Sequence, residues 1–122
     1  MESIILVGNK NLELSVIERM EHNNCIRKYY SNIWFVVEYA DSRVYYHIEP
    51  ELIKEYEVEL KVIPFKQPQF MLVDYISLGI LKNLILTEYS MKNTWIDNNH
   101  GIILPIQDFI TLLKQNPSWD WR

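Results

Sequence analysis

Ile33-Trp34-Phe35-Val36-Val37-Glu38-Tyr39-Ala40-Asp41-Ser42-Arg43-Val44-Tyr45-Tyr46-His47-Ile48-Glu49 is the stretch that decides the fold. Two β-branched and aromatic runs flank a polar Asp-Ser pair, the pattern of a β-hairpin. With Asp41 and Ser42 as a two-residue loop, Ala40 faces Arg43, Tyr39 faces Val44, Val37 faces Tyr46 and Phe35 faces Ile48. Side chains alternate along a strand, so one face collects Ile33, Phe35, Val37, Tyr39, Val44, Tyr46 and Ile48. That face is a core wall. The other collects Trp34, Val36, Glu38, Tyr45, His47 and Glu49, and mixes rings with carboxylates.

Upstream, residues 3–7 read as a short buried strand ended by Gly8 and Asn9. A helix is expected to start near Asn11 or Ser15, with Leu12, Val16 and Met20 on one stripe, and to close at His22-Asn23-Asn24. Arg27 to Tyr30 then lead into the hairpin. Downstream, Pro50 to Tyr56 suits one or two helical turns, with proline at the first position and Glu51 at the positive end of the dipole. Glu57 to Ile63 alternates, which predicts a strand with Val58, Leu60 and Val62 inward, stopped by Pro64. Leu72, Ile76, Ile80 and Leu84 recur every four residues, which predicts a long helix from Phe70 to about Tyr89; two strands split at Gly79 are the competing reading. Inside such a helix Gly79 would mark close packing on the sheet. Asn98-Asn99-His100-Gly101 is turn chemistry for a second hairpin over 94–105, and Ile106 to Asn116 is a closing amphipathic helix. In the tail, Trp119 and Trp121 bracket Asp120 and must dock on the domain, the favoured reading, or enter a partner. The expectation is one α+β domain over 1–122, a largely antiparallel sheet built from hairpins with helices chiefly on one face.

A chain of 122 residues can bury roughly two thirds of its unfolded surface. Four Trp, eight Tyr and four Phe are an unusual aromatic load, which serves cores and interfaces alike. Net charge is −4 and unevenly spread. From Glu38 to Glu59 seven acids stand against Arg43 and Lys54, a balance of −5, so the remainder sums to +1. Such a field disfavours nucleic acid and favours a basic protein partner. The single Cys25 forbids an internal disulfide and suits a reducing compartment. The N-terminal run lacks a basic segment and is too short for a signal peptide, and no apolar stretch is long enough to span a membrane, so a cytoplasmic, soluble protein is expected.

Catalytic motifs are sparse. No nucleophile elbow, Walker loop or dinucleotide fingerprint occurs, and Gly8, Gly79 and Gly101 are too far apart for a phosphate-cradling loop. Tyr45, His47 and Glu49 share a strand face and could do acid–base work over a substrate, yet His47 and Glu49 make only two of the three or four ligands that zinc needs. His100 reads as a turn residue, His22 as a helix-end cation and Cys25 as a small buried side chain. No cofactor, metal or catalytic residue is expected. The expected partner-binding residues are Trp34, Glu38, Tyr45, His47, Glu49, Glu51, Glu55, Glu57 and Glu59. Glu51 and Glu55 pair up as i, i+4 neighbours, and Glu57 and Glu59 share a strand face.

An acidic α+β chain without catalytic motifs and with a Tyr/Trp-rich face resembles bacterial immunity proteins, which neutralise toxins. The ending is similar in style to endings in that group: Trp95-Ile96-Asp97-Asn98-Asn99-His100-Gly101-Ile102-Ile103-Leu104-Pro105, a helix, then Asn116-Pro117-Ser118-Trp119-Asp120-Trp121. The resemblance implies stoichiometric inhibition of a protein partner, often a basic nuclease toxin; no binding residue is carried over from any relative. An adaptor or subunit of another cytoplasmic complex is the alternative, followed by a small-molecule-binding domain or enzyme using Tyr45, His47 and Glu49.

Overall fold

A computed structural model describes residues 1–89, 91 and 93–122. Seven strands form one antiparallel sheet: β1 (Glu2–Gly8), β2 (Arg27–Ser31), β3 (Trp34–Glu38), β4 (Arg43–Ile48), β5 (Gln69–Tyr75), β6 (Thr94–Asp97) and β7 (Ile103–Pro105). Their spatial order is β2-β3-β4-β5-β1-β6-β7. Among the described residues three α-helices accompany them, α1 (Leu14–Arg19), α2 (Leu78–Thr87) and α3 (Ile106–Gln115). The α+β class, the antiparallel sheet and both expected hairpins are present.

The central strands β1 and β5 are covered on both faces, so Ile4-Ile5-Leu6-Val7 and Phe70-Met71-Leu72-Val73 are continuous apolar runs with no alternation. This overturns the long helix over 70–89. The segment is strand β5 followed by α2, and the break falls at Ile76-Ser77, not at Gly79. Ser77 caps α2, its hydroxyl accepting from the Ile80 N–H at 3.2 Å. Gly79 has no close-packing role: a Cβ there would meet only the Ser77 hydroxyl at 3.7 Å. Gly8 is the tight one, since a Cβ would come within 3.0 Å of the Leu12 side chain.

The first hairpin keeps its faces but not its register. Phe35 pairs with Tyr46 and Val37 with Val44, and residues 39–42 form a four-residue loop in which the Tyr39 N–H donates to the Ser42 carbonyl at 2.8 Å. A slip of two residues leaves every side chain on its own face, so the core wall of Phe35, Val37, Val44 and Tyr46 stands. Ile33 leaves that wall. It lies in a tight turn beside Asn32, whose φ is +56°, and β2 pairs with β3 beyond it. The stretch expected as a lead-in, Arg27 to Tyr30, is therefore the edge strand.

The helices pack on one face. Ile17 of α1, Leu78, Leu81, Leu84 and Ile85 of α2, and Ile106, Phe109 and Leu113 of α3 cover Ile4, Leu6, Phe35, Val37, Tyr46, Met71, Val73 and Tyr75. The tail closes this layer, as favoured from the sequence: Trp121 is buried and its indole N–H donates to the Tyr75 hydroxyl at 3.2 Å. Trp119 stacks on Phe109 at 5.8 Å.

The opposite face is covered only over β5, β1 and β6. Two 3₁₀ turns, Pro50–Glu55 and Glu59–Lys61, lie across it and seat Tyr56 and Ile63 on Ile5, Val7 and Phe70. The Tyr56 hydroxyl donates to Asp97 at 2.5 Å. The strand expected over 57–63 is thereby overturned. Val58 and Val62, expected inward, are 71 % and 69 % exposed, because a 3₁₀ turn brings i and i+3 together rather than i and i+2.

Candidate binding face

The 3₁₀ segment stops short of β2, β3 and β4, and the face of those strands opposite the helices carries the rings read from the sequence. Cross-strand pairing fixes the rows. Tyr29, Val36, Tyr45, Asp74 and Ser3 stand side by side across five strands, and Arg27, Glu38 and Arg43 form the row beside them. Trp34 lies over His47 with ring centres 4.7 Å apart and meets Tyr45 edge to face at 6.2 Å. Val36 is buried beneath this group. Trp34, Tyr45 and His47 are thus brought together as expected, on rigid strands, each half-buried by the others.

The electrostatics differ from the sequence reading. Glu38 is neutralised: Arg27 donates to one carboxylate oxygen at 2.9 Å and Arg43 to the other at 3.0 Å. The two guanidiniums hold its carboxyl below the usual range. Arg27 also lies over the Tyr29 ring at 4.7 Å. The aromatic patch is therefore bordered on one side by an Arg-Glu-Arg row, not by a bare carboxylate. Acidity concentrates on the other border, where the 3₁₀ segment begins. Glu49 sits 3.7 Å from the His47 ring, and its carboxylate accepts from the Glu51 N–H. Glu51 pairs with Lys54 at 2.7 Å in the i, i+3 relation of a 3₁₀ turn, so the expected i, i+4 alignment with Glu55 does not form. Glu57 and Glu59 share no strand face, since no strand is there; Glu55 and Glu57 are exposed and Glu59 is half-buried. From Glu49 to Lys61 five carboxylates still face only Lys54 and Lys61.

The remaining candidates resolve structurally. His47 Nδ1 is buried and has no hydrogen-bond partner among the described residues, with Glu49 beyond hydrogen-bond reach. His100 lies in the turn, where its backbone N–H donates to the Asn98 side chain at 2.8 Å, and its ring touches Glu2 at 3.3 Å. His22, expected as a helix-end cation, is instead buried in the core, where burial pulls its pKa down to about 4 and keeps it neutral. Cys25 packs against the main core. Among the described residues no three His, Cys, Asp or Glu side chains gather as a metal set, and no helix is long and apolar enough to cross a membrane.

Asp74 is the residue that the sequence reading missed. One acid between Val73 and Tyr75 signals a strand position facing away from the core. Its carboxylate accepts from the Ser3 hydroxyl at 2.5 Å and stands on the aromatic face beside Tyr45. Comparison with protein-family models, curated proteins and solved structures finds no match to this chain.

Proposed function

We propose that this chain is a non-catalytic protein-binding module of the toxin-immunity kind, which neutralises a basic protein by covering it with the open half of its sheet. One observation carries the reading: the 3₁₀ segment caps one half of the outer face and leaves Trp34 and Tyr45 partly exposed on the other, with His47 tucked against Trp34. Rings held on paired strands lose little entropy when a partner lands on them, which suits them as anchors. The carboxylates of the neighbouring 3₁₀ segment supply a field that speeds encounter with a basic surface and disfavours nucleic acid. A nuclease toxin, whose cleft must attract phosphate, is the kind of partner that fits.

The test is stoichiometric complex formation with a basic protein encoded beside this chain's gene, together with loss of that protein's toxicity. A defined one-to-one complex that silences the toxin supports the reading. A chain that binds no such product, or that turns over a small substrate through Tyr45, His47 and Glu49, contradicts it.

A further inference from the structure

We propose that the corner formed by Trp34, Tyr45 and Asp74 receives one alkylammonium group, and that in the complex this group is a lysine side chain of the protein partner. The inference rests on reading the open face as an interface, and it specifies what that interface recognises at its centre.

A cavity of about 280 Å³ opens there, lined by Met1, Ser31, Trp34, Val36, Tyr45 and Asp74. Its walls are two rings at 87° to each other, with centres 6.2 Å apart. A carboxylate favours positive charge within reach, and so does an aromatic ring, whose quadrupole attracts a cation centred within about 6 Å. Asp74 enters from β5, where pairing with Tyr45 on one side and Ser3 on the other fixes its place. A half-buried carboxylate is costly to hold without a counter-charge. Among the described residues, however, no ion pair includes Asp74 or the Met1 amino group, and no Lys or Arg lines the cavity. The two nearby guanidiniums are spoken for, since Arg27 and Arg43 both bind Glu38.

The donor count favours lysine over arginine. The Ser3 hydroxyl lies on Oδ1 at 2.5 Å and competes with any second donor there, whereas among the described residues Oδ2 has no hydrogen-bond partner. A guanidinium fork is built for two carboxylate oxygens, whereas an ammonium is a point charge satisfied by one. Arg27 over Tyr29 at 4.7 Å shows that rings of this same face accept a cation on their π-surface.

The experiment titrates the purified chain with butylammonium chloride and follows the Trp34 indole N–H by nuclear magnetic resonance, assigned with Trp34→Phe. A saturable shift is expected, with a dissociation constant on the order of millimolar. It should weaken by about tenfold or more in Asp74→Asn and in Tyr45→Ala. Butanol should give no saturable shift, and propylguanidinium should bind more weakly than butylammonium. If Asp74→Asn loses its native spectrum, Tyr45→Ala carries the comparison. No saturable shift, or equal binding by the variants, overturns the proposal. The titration contains no partner, so its failure removes the lysine pocket while the toxin-binding test of the open face stands independently.

Discussion

The hydroxyls of Tyr46 and Tyr89 meet at 2.7 Å in the middle of the core, and His22 determines which of them donates. His22 Nδ1 contacts the Met20 carbonyl at 3.2 Å, which can only accept, so Nδ1 carries the proton. Nε2 is then an acceptor of the Tyr46 hydroxyl at 3.0 Å, which obliges Tyr89 to donate to Tyr46. The Met20 carbonyl also accepts from Lys28 at 2.7 Å.

Tyr46→Phe should therefore cost about 1–3 kcal/mol, because it strands the Tyr89 hydroxyl and His22 Nε2 in a dry core. Tyr39→Phe is its control. The Tyr39 hydroxyl is buried and has no hydrogen-bond partner among the described residues, so removing it should leave stability unchanged or raised. Urea titration of both variants checks the contrast, and equal losses would contradict the network.

Acid should destabilise the protein through His22. Its pKa in the folded chain is about 4, below the 6.5 of the unfolded chain, because burial and then Lys28 oppose the charged ring, more than the Met20 contact favours it. Between those values the unfolded state binds the extra proton. Stability is therefore complete above pH 6.5 and falls as pH drops towards 4, by roughly 3 kcal/mol in all. Glu38 and Asp120, held low by their arginine partners, add losses only at and below the ordinary carboxylate range. Melting curves from pH 7 to pH 4.5 should slope for the parent chain and be much flatter for His22→Gln.

The 3₁₀ cover makes a sharp distinction between neighbours. Tyr56→Ala should cost about 3–5 kcal/mol, since it removes a buried ring 4.8 Å from Phe70 and takes the Tyr56 hydroxyl from Asp97 Oδ2. Val58→Glu and Val62→Glu should each change stability by less than about 0.5 kcal/mol. A strand over 57–63 would reverse that ranking, so chemical denaturation of the three variants decides it.

What the sequence made legible, and what it hid, has a physical pattern. Phe35, Val37, Val44 and Tyr46 against Trp34, Tyr45 and His47 were separable because the helices cover only one face of this half of the sheet, which imposes alternation broken in β3 only by the buried Val36. Strand β5 hid because both of its faces are covered, and its apolar run joined that of α2 at a spacing that imitates one helix. Strand β2 hid for the opposite reason: at the sheet edge its burial pattern carries little contrast, from Arg27 to Ser31. Val58, Leu60 and Val62 alternated by coincidence in a segment whose anchors are Tyr56 and Ile63. The rings of the binding face were readable from local period. Asp74 was not, since only the pairing of β5 between β4 and β1 sets it beside Tyr45.

Steering should be separable from anchoring. Reversing Glu55 and Glu57, both exposed on the 3₁₀ segment, should slow association with a basic partner and flatten its dependence on salt, with little change in dissociation. Stopped-flow association at two ionic strengths checks this. An on-rate indifferent to both changes would remove the acidic border from the mechanism.

The most direct test of the open face as the interface is the dissociation rate of the partner complex for Trp34→Ala and Tyr45→Ala, with each variant first shown to keep the parent fold by circular dichroism and thermal melting. The expected result is dissociation accelerated by about tenfold or more in each, with association changed by less than about threefold. Parent-like dissociation in both folded variants would contradict it and place the interface on another surface of the chain.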